Sequence, residues 1–127
     1  MRAVDTNVLV RLLARDHATQ LGAAEEFVAP GAWVSLLVLM EAVWVLETVY
    51  EVKPNAIAAG IELLLQHKRL SVEDGDVVER AVVSYRRRPS VGFSDCLILE
   101  VARRAGHLPL GTFDRNLSKL EGTQRLT

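Results

Sequence analysis

Apolar positions fall along the chain in two rhythms, short apolar runs and longer helical stripes. Arg2–Asp5 predicts a very short strand. Val8, Leu9, Leu12 and Leu13 recur at helical spacing and predict a helix over Asn7–Ala14. A second helix covers Ala18–Val28, and Pro30–Gly31 breaks it. Ala32–Ser35 has the character of a short buried strand. Leu36–Tyr50 predicts a helix that is apolar on nearly every side, and Pro54 suits the first turn of another that runs to about Gln66. Ser71–Val72 is a strand or a turn. Asp74–Arg87 forms a helix that Pro89 ends, and Ser94–Arg104 forms the next, with Gly106 as its stop. Leu108–Thr112 predicts a strand, Asp114–Leu120 a short helix, Glu121–Gly122 a turn, and Gln124–Leu126 a strand placed to close the sheet. Short apolar strands alternating with helices predict an α/β fold with a mostly parallel sheet.

The 127 residues, half of them hydrophobic and 24% charged, fit one domain over residues 1–127 and exclude general disorder. The net charge of −1 makes no demand for nucleic acid, so any RNA contact must come from a local patch. A single cysteine, Cys96, excludes an intrachain disulfide and fits a reducing cytoplasm. No signal peptide opens the chain, which reaches Asp5 almost at once. The longest apolar stretch, Ala32–Met40, is interrupted by Ser35 and stopped by Glu41, far short of the ~20 residues of a membrane span. A soluble protein is expected.

The placing of the acids says more than their number. Ligands of open parallel sheets bind beyond the carboxyl ends of the strands. Asp5 follows the first predicted strand and Asp114 the strand Leu108–Thr112. Asp95 opens a helix in line with Ile98, Leu99 and Ala102, and Glu41 lies inside the most apolar helix. Each acid alone has a plain alternative: Asp5, Asp95 and Asp114 as helix caps or dipole partners, Glu41 as a solvated residue at a helix edge. Together, four carboxylates at one edge of one sheet would repel one another unless a cation sat between them. Oxygen ligands favour hard ions, Mg²⁺ or Mn²⁺, over zinc. His17, His67 and His107 are scattered and offer no competing ligand spacing, and Cys96 suits a small core residue. Such an ion lowers the pKa of bound water and holds a phosphate, which is phosphoryl chemistry. Thr6, Asn7, Ser94 and Thr112 flank the acids and can orient ligands or water, or serve as turn and cap residues.

These segments resemble the PIN-domain family. The resemblance rests on Val4-Asp5-Thr6-Asn7-Val8-Leu9-Val10, Leu39-Met40-Glu41, Gly92-Phe93-Ser94-Asp95-Cys96-Leu97-Ile98 and Thr112-Phe113-Asp114-Arg115, in the family's order. It spans the whole chain, and within the family the likeness is to the VapC toxins of type II toxin–antitoxin pairs. It implies an α/β/α PIN fold, a short mostly parallel central sheet flanked by helices. It also implies a Mg²⁺- or Mn²⁺-dependent endoribonuclease in which Asp5, Glu41, Asp95 and Asp114 bind metal and catalyse. The same resemblance implies a homodimer, a VapB-type antitoxin as partner, and structured RNA such as tRNA or rRNA as substrate. Asn116 stands where many relatives carry another acid, and Gly92 where many carry Asp; the number of metals stays open.

RNA contact needs cations. Arg115, beside Asp114, is the first candidate, with Arg11, Arg15 and Lys119, the run Arg86-Arg87-Arg88 and the pair Arg103-Arg104. The triple arginine also suits a solvated helix end. Apolar surface on Leu36–Tyr50, with Trp33 and Trp44, exceeds what one sheet face requires and offers area for a dimer or a partner peptide. The alternative reading is a non-catalytic PIN-like module that binds RNA or scaffolds a complex. A phosphoacceptor domain would carry a lysine after a late strand, where this chain has Gly111-Thr112-Phe113.

Overall fold

Short apolar runs became strands of two or three residues, each too short to hold a sheet without helices packed on it. The computed structural model describes residues 1–127. It divides into two compact units, Met1–Gly75 and Asp76–Thr127.

In the first unit, β1 (Arg2–Ala3), β2 (Ala32–Val34) and β3 (Leu70–Val72) form a parallel sheet in the order β1-β2-β3. Ala3 pairs with Trp33, and Val34 with Val72. Two further bonds carry the ladder past the strands: the amide of Val4 donates to the carbonyl of Trp33 at 3.1 Å, and that of Glu73 to Val34 at 2.9 Å. The helices are α1 (Thr6–Ala14), α2 (Ala18–Val28), α3 (Leu36–Thr48) and α4 (Pro54–Gln66). α1 packs on α2 and α3, and α4 on β3. Leu9, Val34, Leu39, Val43 and Ile61 are buried here. Crossover helices between parallel strands are what the alternating pattern requires.

The second unit contains nearly all of α5 (Gly75–Arg87), a 3₁₀ turn at Pro89–Val91, α6 (Phe93–Ala105), β4 (Leu110–Thr112), a 3₁₀ turn at Leu117–Lys119 and β5 (Thr123–Arg125). β4 and β5 pair in parallel. Tyr85 meets Phe93 edge to face, with ring centroids 6.0 Å apart and planes at 69°. Arg104 on α6 pairs with Asp76 on α5. Gly106 ends α6 in the left-handed region at φ +82°, as a glycine stop should.

The α/β class stands, with three corrections. The strands form two ladders, of three and of two strands, where one sheet was expected. β5 returns to β4 after a short connection, a pairing that costs little loop-closure entropy. The strand expected from Leu108 begins at Leu110, because Pro109 has no N–H for the ladder. The expected helix Asp114–Leu120 shrinks to the single 3₁₀ turn Leu117–Lys119. There Lys119 and Leu120 donate to Asn116 and Leu117, three residues back, and too few residues follow Asp114 to outweigh helix nucleation.

Candidate active site

Asp5 ends the first strand segment and caps α1: its carboxylate accepts a hydrogen bond from the Val8 amide at 3.1 Å. The capping alternative for Asp5 is therefore real, and it leaves the second carboxylate oxygen free of any hydrogen bond given to the first. Next to it, the Thr6 hydroxyl donates to the Glu41 carboxylate in a short bond. Thr6 thus joins the start of α1 to α3 and fixes where Glu41 lies relative to Asp5. Ser35 caps α3 through the Val38 amide at 3.1 Å, which sets Glu41 one and a half turns beyond β2. Glu41 is exposed, on one stripe of α3 with Leu37 and Trp44.

The structure adds an acid that sequence reasoning passed over. Glu73 follows β3 directly, and its carboxylate accepts from the Leu36 amide at 2.9 Å, at the start of α3. Asp5, Glu41 and Glu73 therefore all belong to the carboxyl-terminal side of the three-stranded sheet. A lone acid after a three-residue strand carries no spacing signal; only the pairing of β2 with β3 locates it.

Asn7, Asp5 and Arg11 line one cavity of about 360 Å³ together with Gln20 and Phe27. Arg11 is held in place: its guanidinium donates to Gln20 at 2.5 Å and to the Tyr50 hydroxyl at 2.8 Å, and pairs with Asp16 at 3.4 Å. Tyr50 in turn donates to Asp16 at 2.9 Å. Arg15 pairs with Glu25.

In the second unit, Gly92 is the N-cap of α6, at φ +90°. Asp95 therefore sits in the first turn without being the cap, and no hydrogen bond or cation engages its half-buried carboxylate. Burial raises its pKa above the ordinary aspartate value, and the charge of Asp114 raises it further. That direction is opposite to what a helix N-terminus alone would do. Asp114 accepts from the amide of Leu117, the first residue of the 3₁₀ turn, at 2.8 Å, while Thr112 accepts from the Asp114 amide at 2.9 Å. Ser94 is half-buried, and Asn116 and Arg115 are exposed. Phe113, between Thr112 and Asp114, is 75% exposed, so it has no packing role to explain it.

The remaining nucleophile and the imidazoles fall elsewhere. Cys96 is buried, and burial, then Asp95 and Glu100, push its thiol up to about 11, so it is not a thiolate at neutral pH. His17 caps α2 and His67 accepts from the Arg69 amide at 3.0 Å.

Asp5, Glu73 and Asp114 thus follow strands, while Glu41 and Asp95 lie on α3 and α6. The family model of the PIN domain matches residues 2–122. The chain belongs to the PIN domain family. No curated protein matches this PIN domain. Among solved structures it is similar to the crystal structure of Mycobacterium tuberculosis VapC20, a Sarcin-Ricin loop cleaving toxin, with 22% identity over 97% of each chain and a TM-score of 0.43. No helix of this PIN domain is long and apolar enough to cross a membrane.

All-oxygen donors of this kind fit a hard divalent cation, which commonly takes one or two carboxylates and keeps several waters. Neither unit gathers three or more His, Cys, Asp or Glu side chains into one cluster. In the second unit Asp95 and Asp114, whose charges act on each other, are the two carboxylates such an ion could take.

Proposed function

We propose that this PIN domain is a Mg²⁺- or Mn²⁺-dependent endoribonuclease, the toxin of a type II toxin–antitoxin pair, acting in the cytoplasm on structured RNA such as tRNA or rRNA. One observation carries the reading. Asp95 is half-buried beside the charge of Asp114, caps nothing and has no cation of its own. A carboxylate left in that state is a poor structural device and a good ligand.

Asp5, Glu41, Asp95 and Asp114 are the proposed catalytic and metal-binding carboxylates. When bound, the divalent ion supplies a nucleophilic water near neutral pH and offsets charge on the leaving oxygen. Thr6 orients Glu41 through its hydroxyl, and Thr112 holds the backbone of Asp114. Asn7, Ser94 and Asn116 are the proposed polar groups that position ligands or water. Arg115, Arg11 and Lys119 are the proposed RNA contacts; Arg11 enters with its guanidinium already oriented by Tyr50 and Asp16. Phe113 offers an exposed ring on which a base can stack.

Cleavage is expected to require Mg²⁺ or Mn²⁺, to stop with EDTA, and to leave a 5′-phosphate and a 3′-hydroxyl. End-group analysis of the cut RNA checks this. Cleavage that persists in EDTA with a 2′,3′-cyclic phosphate would instead mean general acid–base chemistry.

The proposed partners are a second copy of the chain and a VapB-type antitoxin. Leu37 and Trp44, 80% and 60% exposed, flank Glu41 on α3 and give an inhibitor an apolar foothold beside an acid. A partner cation placed at that acid would neutralise it. Trp44→Asp is expected to weaken the antitoxin complex more than it weakens RNA cleavage. Titration of the variant with the antitoxin, run beside a cleavage assay, tests this; unchanged affinity would place the docking surface elsewhere.

A further inference from the structure

One concave surface of the second unit is lined by cations drawn from three separate elements. Arg87 ends α5, Arg88 follows it, Arg103 lies on α6 and Lys119 closes the 3₁₀ turn after Asp114. All four line one cavity of about 400 Å³, against only two carboxylates, Glu100 and Glu121. The cations are not equivalent. Arg103 is spent on the protein: it pairs with the buried Glu100 at 3.2 Å and donates to the Glu121 carbonyl at 2.9 Å. Arg87, Arg88 and Lys119 are exposed and have no ion pair. The dipole of α5 accounts for an arginine in its last turn. It does not account for a lysine brought from a different element to face the same cavity. Three unpaired cations there repel one another until an anion lies between them.

The cavity also has a fixed direction from the acids. Asp95, Leu99 and Arg103 follow one another at four-residue intervals on α6, so they share a face, and Leu99 and Arg103 line the cavity. At ~1.5 Å per residue, the cavity lies about 6–12 Å along the helix from Asp95. Lys119 is tied to the same acids from the other side, because Asp114 accepts from the first amide of the turn that ends in Lys119.

We infer that the cavity lined by Arg87, Arg88 and Lys119 is an anchoring site for the phosphodiester backbone of an RNA strand, next to the acids on α6 and distinct from them. The inference rests on the ribonuclease reading, and it assigns these cations to substrate affinity rather than to the chemical step.

Binding of the full-length chain to a short fluorescein-labelled single-stranded RNA, followed by anisotropy in EDTA across a range of KCl, tests it without any cleavage. The wild type is expected to bind with an affinity that falls steeply with salt. The double variant Arg87→Ala, Arg88→Ala is expected to bind about tenfold more weakly at low salt, with a log–log salt slope shallower by about 1.4, two contacts at ~0.7 each. Arg88→Gln and Lys119→Gln, each on an exposed side chain, should each flatten the slope by about 0.7, and Arg88→Lys should restore it. The single variants decide the matter should the double variant melt early. Failure of the wild type to bind RNA, or slopes unchanged in the variants, would overturn the inference. Changed slopes in a protein that cleaves no RNA with Mg²⁺ or Mn²⁺ would keep the anchoring site and remove the nuclease; cleavage with unchanged slopes would do the reverse.

Discussion

Asp95→Asn is expected to lower RNA cleavage by more than about 100-fold while leaving the metal-free protein as stable as the wild type or more so. Loss of a group that merely supports a metal ligand costs ~10–100-fold, and removal of a ligand itself should exceed that. The stability half follows from charge. A carboxylate in the first turn of a helix ordinarily gains from the dipole. At Asp95 burial and the neighbouring Asp114 outweigh that gain, since together they raise its pKa. The sign is then fixed by linkage. A group whose folded-state pKa lies above its unfolded value favours the native state below the unfolded pKa, and that contribution is lost as pH rises through the folded pKa. At neutral pH the ionised Asp95 therefore opposes folding, and the amide of the variant removes the opposition. Melting curves should separate above the aspartate range, with Asp95→Asn the higher, and converge as the pH falls and the wild-type carboxyl takes up its proton. A variant that melts well below the wild type at neutral pH would mean that Asp95 holds the helix end, and the acid would lose its place in the proposed site.

Asp5 gives a contrasting expectation because it does cap a helix. Asparagine caps about as well as aspartate, so Asp5→Asn should keep the melting temperature and lose activity. Asp5→Ala should lose activity and about 1 kcal/mol of stability as well, read by thermal or urea melts. Capping and the proposed metal binding are compatible at Asp5, whose cap bond uses one carboxylate oxygen.

What could be read from the chain before its structure depended on range. Helical stripes such as Pro54–Gln66 and Ala18–Val28 are local, and they appear with the expected bounds. So do the glycine stop at Gly106 and the proline break after Arg87. Local spacing alone could set Asp5 and Asp114 after strands, Asp95 at a helix start and Glu41 inside a helix. Features made by non-local pairing were out of reach. Nothing near Leu110 says that it pairs with Thr123, and nothing near Glu73 says that its carboxylate meets the Leu36 amide. Arg11 was legible as a cation near Asp5, but its hold on Tyr50 spans 39 positions and no periodicity reports it. The helix expected after Asp114 failed for a local reason: an acid that accepts from the third amide onward starts a turn, and the residues up to Leu120 were too few to extend it.

The packing that places Asp95 leads to the largest expected loss of stability. Phe93 is the first residue of α6, fully buried, two positions before Asp95, and its ring meets the edge of Tyr85 from α5. Gly92 before it has φ +90°, so the chain turns sharply into the helix and relies on the Phe93 side chain to fix where the first turn lands. Phe93→Ala removes the ring and leaves a cavity, which costs about 3–5 kcal/mol in well-packed interiors. Domains of this size hold only about 5–15 kcal/mol in total, so the melting temperature should fall by roughly 10–20 °C. Phe93→Leu fills most of the volume and should cost about 1.5 kcal/mol or less. The edge-to-face contact is read from a double-mutant cycle with Tyr85→Ala, where a coupling of about 0.5–1.5 kcal/mol is expected. Activity separates position from stability. At a temperature where Phe93→Ala is still folded, its cleavage rate should fall because the first turn of α6 is no longer held, while Phe93→Leu should retain most of it. An alanine variant that melts within about 1 kcal/mol of the wild type would show that this ring does not anchor α6, and the placement of Asp95 would then have to come from the backbone turn at Gly92 alone.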